Sequence, residues 1–530
     1  MEQWVQASYT WIAVVASILL GSVFTAWSAI PKRQAYADAP IACVDDPKRP
    51  SKGVLQKARE SFRTDAIGML QEGYRQYKGQ PWYVPSPLGE RLMIPSKYVE
   101  ELKNAPVDEV DFVATFFEMF EGRYTTMGSR STLHPRVAKH ELNQNMAMIL
   151  DPVMEEIKDA FDVHLPATDA DWTPVHVHDA VVNIVARVSS RMFGGTDLST
   201  NKEWVDATIN FALDGFIGAQ AIKKYPHFVR PLAAKFIPAL TKIKEHHATA
   251  QRVIVPILRE REKAAKSGWS NSDTGKPPAD FLQWMVDAAV GEETEKSFIA
   301  QIQLKLSFAA IHTSAAAPAQ LLYDLCCLPQ YIQELRSEIS DARNSSSTGD
   351  LDKRALLKLE KLDSLMKETQ RFNPLLLITF ERIITKNYTL SDGFRIPANT
   401  QIGVPTQAIS MDPEIYPNPE KFDPLRFYKI KQAMEAEGKL KNNAAAAGKL
   451  AFASSNHESM AFGYGRHACP GRWFAGNEIK MIMVYLLENY DFRLPGAKTG
   501  LENRPPSLCY ETQYLPNPEA VIEFRRRKGN

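Results

Sequence analysis

The stretch FGYGRHACPGRWFA, residues 462–475, places a single cysteine, Cys469, inside a loop that is rich in glycine. Gly463, Gly465 and Gly471 have no side chain, so the backbone around them can approach a flat group closely. The same freedom lets amide N–H groups point at the cysteine sulfur. The stretch therefore raises the choice between a plain buried cysteine and a thiolate that is held for a purpose.

The residues after the cysteine predict a helix. Pro470 suits the first turn of a helix, and apolar side chains recur at helical spacing from Phe474 onward. A cysteine at a helix N-terminus has a lowered pKa because the helix dipole favours an anion. We expect Arg466 and His467 to add positive charge near Cys469, and the pattern thus favours a thiolate.

Such a thiolate has three possible uses. A zinc site is disfavoured because no second cysteine or histidine pair lies at metal-binding spacing. A catalytic nucleophile stays open, although no general base is identifiable beside the cysteine. An axial thiolate ligand for the iron of a haem fits the loop best.

At this point the chain resembles the cytochrome P-450 family. Residues 462–471 match its haem-binding pattern, F-x-x-G-x-(R/H)-x-C-x-G, at all five defined positions. The resemblance implies a mainly α fold with small β-sheets and a haem b cofactor. It also implies that Cys469 is the axial ligand of the iron, with Phe462, Gly465 and Gly471 in the cofactor-binding loop.

Two upstream segments strengthen the resemblance. KETQR contains Glu368 and Arg371, which share one face of a helix at i and i+3, and FDPLRF follows with Arg426. In the family these three positions form an ionic cluster that holds the core, so we interpret them as structural. Arg382 and His467 match positions whose side chains meet the haem propionates.

The segment AAIHT, residues 309–313, matches the family's oxygen-handling segment (A/G)-G-x-(D/E)-T in a long central helix. Thr313 is kept, and the resemblance implies that its hydroxyl handles dioxygen and an ordered water. The acid of the family is replaced by His312 and the glycine by Ala310. Histidine can shuttle protons near neutral pH, so His312 either relays protons or only packs and hydrogen-bonds.

The first 35 residues predict a membrane anchor. An uncharged run covers residues 10–30, bounded by Trp11 and Trp27, and is long enough to span a bilayer as a helix. Lys32 and Arg33 follow it, which favours a cytosolic body. A cleaved signal peptide is the alternative, but it expects a basic start that is missing. We expect a single-pass protein of the endoplasmic reticulum membrane, with residues 36–530 forming one haem domain that faces the cytosol.

Composition restricts the partners. The chain has 530 residues, a formal net charge of +1 and 24% charged residues, so no strong field favours nucleic acid. Its 5 cysteines are an odd number without regular spacing, which argues against a disulfide framework and fits a reducing compartment.

The substrate is expected to be hydrophobic. The segments FAAIHT and HACPGRWFAGNEIK resemble filamentous-fungal members of secondary metabolism, of the gibberellin and indole-diterpene oxidase type. Mostly apolar segments match the positions that line the family's distal pocket: 120–129, 211–216, 308–313 and 375–378. This favours oxidation of a polycyclic terpenoid or indole-diterpene-like compound, with an alkaloid or polyketide scaffold as the alternative.

The resemblance implies electron supply by an NADPH–cytochrome P-450 reductase, with cytochrome b5 as an optional second donor. No G-x-G-x-x-G dinucleotide loop is visible in the sequence. Arg466, Arg472 and Lys480 are candidates for a basic docking face. Two alternatives stay open, a reductase-independent haem-thiolate isomerase or dehydratase and a haem-based binder or sensor.

Overall fold

Long helices dominate the computed structural model, which describes residues 36–528 apart from 88, 129, 271–274, 347–350 and 442. This confirms the expectation of a mainly α protein with small sheets. The anchor predicted over residues 1–35 lies outside the described residues. Within the part that is described, no helix is both long and apolar enough to cross a membrane.

The helices follow one another with short connections over most of the chain. Their bounds are α1 Lys52–Gln76, α2 Val99–Leu102, α3 Phe112–Met119, α4 Gly122–Thr125, α5 Leu133–Val137, α6 Met146–His164, α7 Val177–Gly194, α8 Thr196–Ser199, α9 Lys202–Lys223, α10 Arg230–Ala233, α11 Pro238–Lys266, α12 Phe281–Ala288, α13 Lys296–Cys327, α14 Gln330–Asn344, α15 Lys353–Lys358, α16 Glu360–Phe372, α17 Thr406–Ser410, α18 Arg426–Ala436, α19 Ala444–Gly448 and α20 Arg472–Asn489.

The strands form small, mostly antiparallel sheets. They are β1 Trp82–Val84, β2 Arg91–Met93, β3 Val110–Asp111, β4 Thr173–His176, β5 Thr379–Ile384, β6 Tyr388–Thr389, β7 Arg395–Ile396, β8 Thr400–Val404, β9 Tyr490–Arg493, β10 Leu508–Tyr510, β11 Gln513–Leu515 and β12 Val521–Arg526. One sheet has the order β1-β2-β8-β5-β3, a second has the order β4-β12-β9, and β6-β7 and β10-β11 are two-stranded. Strands β1 and β2 flank the turn at Gly89, and β5 to β8 follow one another between residues 379 and 404.

Helix α13 runs through the interior and organises the helical part. It packs against α7, α9, α11, α16 and α20, so most of its surface is apolar and buried. One stripe differs, since Ala309 and Thr313 are exposed four residues apart on the same face. This stripe marks where the helix borders open space inside the protein.

The predicted ionic cluster is confirmed. Arg371 donates two hydrogen bonds to the carboxylate of Glu368, both at 2.8 Å, and Arg426 reaches the same carboxylate from α18 at 3.1 and 3.2 Å. Glu368 is fully buried. The remaining N–H groups of both arginines donate to backbone carbonyls of residues 410–421, so the cluster ties α16 and α18 to this segment.

Candidate active site

The loop around Cys469 closes on itself through a backbone hydrogen bond. The Cys469 N–H donates to the Phe462 carbonyl at 2.7 Å, which holds the two ends of the pattern together. Gly463 and Gly465 adopt φ values of +68° and +72°, which favour glycine. A Cβ on Gly465 would also lie 2.5 Å from the Cβ of Lys103, so the site excludes larger residues.

Helix α20 begins at Arg472 and its N-cap is Gly471, so Pro470 precedes the first turn instead of lying in it. The N–H groups of Gly471 and Arg472 nevertheless hydrogen-bond to the Cys469 sulfur. The helix N-terminus thus faces the sulfur as expected, with the helix starting later than the sequence indicated.

The prediction that Arg466 and His467 supply positive charge near Cys469 is wrong. Burial raises the pKa of the Cys469 thiol, and the opposing charge comes from Arg472, with two backbone N–H groups acting in the same direction. Arg466 instead donates to the carbonyls of Asn104 and Ala105, because it points away along the surface. The pKa of this thiol is therefore not lowered by the loop alone.

Arg382 and His467 are brought together around one aromatic ring. The Arg382 guanidinium lies 4.7 Å from the centre of the Phe112 ring, and the His467 ring stacks on the same ring at 5.0 Å. A β-bulge between Thr379 and Arg382 changes the register of β5, and Phe380 adopts φ +52° there. This bulge re-aims the Arg382 side chain out of the sheet.

The surroundings of Arg382 and His467 are electropositive. Burial lowers the pKa of Arg382 to about 10, and the nearby Arg466 acts in the same direction while Glu381 opposes it. Burial also lowers the pKa of His467 to about 4, helped by the charges of Arg382 and Arg466. A pair of carboxylates placed here would relieve this excess of positive charge.

Thr313 lies on the exposed stripe of α13. Its hydroxyl donates to the carbonyl of Ala309 at 2.8 Å and contacts the carbonyl of Ala310 at 3.1 Å. The oxygen of this hydroxyl remains available as an acceptor, and the hydroxyl can rotate to donate to a ligand. The side chain therefore suits a role in handling a small polar molecule beside the helix.

His312 points away from this stripe. Its Nε2 lies 3.0 Å from the carbonyl oxygen of Ile209 on α9, so this nitrogen carries the proton and donates it. Burial lowers the pKa of His312, which keeps the ring neutral near pH 7. The contact ties α13 to α9, and the proton-relay role stays a prediction.

The segments expected to line the distal pocket meet through their aromatic rings. Phe308 makes edge contacts with Phe120 at 5.5 Å and with Phe211 at 6.2 Å. Phe216 contacts Tyr510 at 6.0 Å, which brings in the hairpin β10-β11. These contacts place three of the four predicted segments around one side of α13.

The prediction that Lys480 contributes to a basic docking face for the reductase is wrong. Lys480 is buried and its ammonium pairs with Asp363 at 2.6 Å, so it cannot present charge to a partner. Arg472 donates to the Cys469 carbonyl at 2.8 Å and lies over the exposed Trp473. Arg472 and Arg466 remain near the surface around the loop.

Two further features were missed. Glu478 on α20 is buried and accepts a hydrogen bond from Ser189 at 2.8 Å, with the hydroxyl of Ser314 also beside it. No spacing rule distinguishes such a carboxyl from a surface residue. Lys305 lies four residues before Ala309 and eight before Thr313, and this i, i+4, i+8 spacing was a usable signal.

The residues present fit a haem group. The loop offers a sulfur aimed by two N–H groups, and no atom lies within 4 Å of where a Cβ on Gly471 would stand. Arg382 offers a positive charge and His467 offers a ring N–H donor for two propionates. Helix α13 presents the small residues Ala309 and Thr313 on its exposed face, which leaves room beside it.

Comparison with known proteins agrees with this geometry. The model of the family described as Cytochrome P-450 matches residues 120–515. A cytochrome P-450 monooxygenase of Emericella nidulans is 35% identical over 468 residues, covering 88% of this chain and 84% of that protein. A second one, of Annulohypoxylon truncatum, is 33% identical over 514 residues and covers 96% of each chain. An ent-kaurene oxidase of Fusarium fujikuroi is 33% identical over 475 residues, covering 88% of this chain and 85% of that protein. With its family match and these fungal relatives, the chain belongs to the cytochrome P-450 family, whose members are oxygen-incorporating oxidoreductases that bind haem through a cysteine thiolate.

Proposed function

We propose that this protein hydroxylates or otherwise oxidises a hydrophobic, polycyclic natural product, using dioxygen and electrons from an NADPH-dependent reductase. The observation that carries the proposal is the contact between α20, which begins directly after the Cys469 loop, and α13, whose exposed face bears Ala309 and Thr313. Glu478 on α20 and Ser314 on α13 lie side by side, so the helix behind the loop and the central helix are in contact.

In this proposal the sulfur of Cys469 would hold the haem iron. When bound, the haem supplies oxygen activation, which the electron-rich thiolate promotes. The N–H groups of Gly471 and Arg472 hold the sulfur in place, and Phe462 closes the loop through its carbonyl. Arg382 and His467 would bind the propionates, and the Thr313 hydroxyl would rotate from the Ala309 carbonyl to donate a hydrogen bond to dioxygen.

A hydrophobic substrate is supported by the aromatic lining. Phe120, Phe211 and Phe308 form a continuous set of ring contacts beside the exposed stripe of α13. Phe211 is fully buried and Phe120 nearly so, so these rings form an apolar wall behind the stripe, which favours a hydrophobic substrate over a polar one. The ent-kaurene oxidase among the relatives supports a terpenoid scaffold.

The location and partners belong to the same proposal. Residues 1–35 would anchor the chain in the endoplasmic reticulum membrane, with residues 36–530 on the cytosolic side. An NADPH–cytochrome P-450 reductase would then reach the face around Arg466 and Arg472 in the same membrane, with cytochrome b5 as a second donor. Both arginines lie beside the loop that holds Cys469.

The test is turnover in yeast microsomes that contain the full chain and a fungal reductase. We would feed diterpenes, indole diterpenes, prenylated alkaloids and polyketides, and record products by mass spectrometry. NADPH-dependent gain of an oxygen or loss of hydrogens on one scaffold is the expected result. Product formed without reductase would instead indicate an isomerase or dehydratase, and binding without any product would indicate a sensor.

A pair of cysteine variants controls this test. Cys469→Ala should abolish both turnover and the reduced carbon-monoxide difference spectrum of a thiolate-ligated haem. Cys509→Ala, at a half-buried cysteine on β10, should keep both. Turnover that survives in Cys469→Ala would contradict the assignment of the ligand.

A further inference from the structure

Lys305 is a cation on the Thr313 face of α13 and has no ion-pair partner in the part of the chain that the structure describes. It stands on the stripe Gln301, Lys305, Ala309, Thr313 and Ala317, whose members are all exposed or half-buried. Among the described residues no carboxylate pairs with the Lys305 ammonium, and burial alone lowers its pKa. A partly buried ammonium without a counter-ion is costly to keep unless a ligand supplies one.

Two histidines lie near Lys305. Its charge lowers the pKa of both His134 and His247, although burial has the larger effect and brings each to about 4. Both rings are therefore neutral near pH 7. In each ring Nδ1 is buried without a hydrogen-bond partner among the described residues. Lys305 therefore carries the charge here, and the two imidazoles offer unpaired polar atoms.

Ring contacts connect this cluster with the substrate pocket. His247 lies against Phe211 at 5.4 Å, and Phe211 contacts Phe308, which follows Lys305 by three residues on α13. The His247 Nε2 lies 2.7 Å from the hydroxyl of Thr126, in the segment that follows Phe120. The polar cluster therefore borders the same aromatic surface that we assign to the substrate.

We propose that Lys305, with His134 and His247, binds a carboxylate on the substrate. This inference rests on the proposed function and narrows its substrate class from a neutral polycycle to a polycyclic acid. A carboxylate fits better than a diphosphate, because the cluster holds one positive charge and a diphosphate carries several negative ones. Arg230 on α10 is already paired with Glu121 at 2.7 Å, so it does not offer a free charge.

The helix spacing also predicts which end of the substrate reacts. Eight residues separate Lys305 from Thr313 on one face, a rise of about 12 Å at about 1.5 Å per residue. A fused-ring skeleton held by its carboxylate at Lys305 extends along α13 toward Thr313. Oxidation is therefore expected on the ring remote from the carboxylate.

The test measures the binding preference for acids over esters. The purified haem-loaded full chain is titrated with dehydroabietic acid, abietic acid and lithocholic acid, and with the methyl ester of each. Dissociation constants come from calorimetry and from the change in haem spin state. We expect at least one acid to bind roughly tenfold to a hundredfold more tightly than its ester, as for a hydrogen-bonded charge pair.

Three variants test whether Lys305 causes the preference for acids over esters. Lys305→Met should remove the acid preference, and Lys305→Arg should keep it. Lys296→Met is the matched control, since this lysine begins the same helix and pairs with Glu262 at 2.8 Å. All variants should keep the reduced carbon-monoxide difference spectrum, which shows that the haem site is intact.

The outcomes separate this inference from the proposed function. A panel in which no acid binds more tightly than its ester overturns the inference, even if neutral substrates are turned over. Acid preference that persists in Lys305→Met overturns it as well. Acid preference that depends on Lys305 supports the site even if the NADPH-dependent turnover fails.

Discussion

At the scale of single residues, neighbours on α13 have different surroundings. Thr313 faces the open side of the helix, whereas His312 reaches across to the Ile209 carbonyl of α9. Ser314, the next residue, turns toward the buried Glu478 of α20. Each of these three side chains thus allows a separate experiment.

Thr313→Ala should uncouple electron use from product formation. The variant loses the hydroxyl of Thr313 on the exposed face of α13. Proton delivery to dioxygen should therefore become slower. We expect a several-fold larger share of electrons to be lost as peroxide and product turnover to fall roughly tenfold or more. NADPH, peroxide and product are measured together, with Thr313→Ser as the control. Unchanged coupling would remove Thr313 from the mechanism.

His312→Ala should destabilise the protein without changing the coupling of electron use to product formation. The change removes one hydrogen bond between α13 and α9, which contributes about 1 kcal/mol to the free energy of unfolding. Urea titration measures that loss, and the peroxide assay measures coupling in the same preparation. A peroxide yield near that of Thr313→Ala would show instead that His312 relays protons.

Glu478→Gln should change how stability depends on pH. Burial raises the pKa of Glu478 from 4.5 to about 7, while the hydroxyls of Ser189 and Ser314 oppose the shift. Between pH 4.5 and about pH 7, Glu478 loses its proton in the unfolded chain but keeps it in the folded chain. The free energy of unfolding of the wild type therefore falls as the pH rises. The loss amounts to about 3 kcal/mol at most.

The amide cannot ionise, so Glu478→Gln should lack this decline. Urea unfolding between about pH 5 and about pH 8 measures it. Glu420→Gln, at an exposed carboxyl, should follow the wild-type curve. A Glu478→Gln curve parallel to the wild type would show that Glu478 ionises normally in the fold.

At the scale of elements, the sequence predicted what local spacing controls. The closed loop before α20 and the i, i+3 pair of Glu368 and Arg371 follow from short patterns, and both are present. The partner of His312 lies 103 residues away in the chain, so no spacing rule could identify it. The prediction that Lys480 lies on the docking face was wrong for the same reason. The pairing of Lys480 with Asp363 depends on how α20 packs against α16.

Glu368→Ala should strongly destabilise the protein, because it leaves Arg371 and Arg426 buried without their carboxylate. The expected loss is about 3–5 kcal/mol in the free energy of unfolding, accompanied by loss of haem. Thermal unfolding and the reduced carbon-monoxide difference spectrum measure the two effects.

The chain offers a matched control in Glu72→Ala. Glu72 and Arg75 form the same i, i+3 pair on α1 at 2.7 Å, but both side chains are exposed. Removing this pair should cost less than about 1 kcal/mol. Equal losses in the two variants would mean that burial does not determine the strength of the cluster.

At the scale of the whole molecule, fold class and element order were predictable from the sequence. Which elements far apart in the chain contact one another was not. The motif segments lie within residues 309–475, and the family's architecture connects them. The grouping of Lys305, His134 and His247 comes from α13, α5 and α11, which are far apart in the chain. Only the packed structure brings such residues to one pocket.

Removal of residues 1–35 should release the protein from membranes. The uncharged run 10–30 gives the predicted anchor, and the described part of the chain has no spanning helix. Carbonate extraction of yeast microsomes should leave the full chain in the membrane pellet. The chain of residues 36–530 should appear in the supernatant with its haem spectrum intact. A full chain extracted by carbonate would contradict the anchor.

Strand β12 lies between β4 and β9, hydrogen-bonding to both. A ribosome adds residues one at a time, at about 5–20 per second, so β4 emerges long before the strand that covers its edge. Until then β4 exposes unpaired N–H and C=O groups that favour contacts with other chains. The Cys469 loop is also made late, so haem can enter only when nearly all of the helical core already exists.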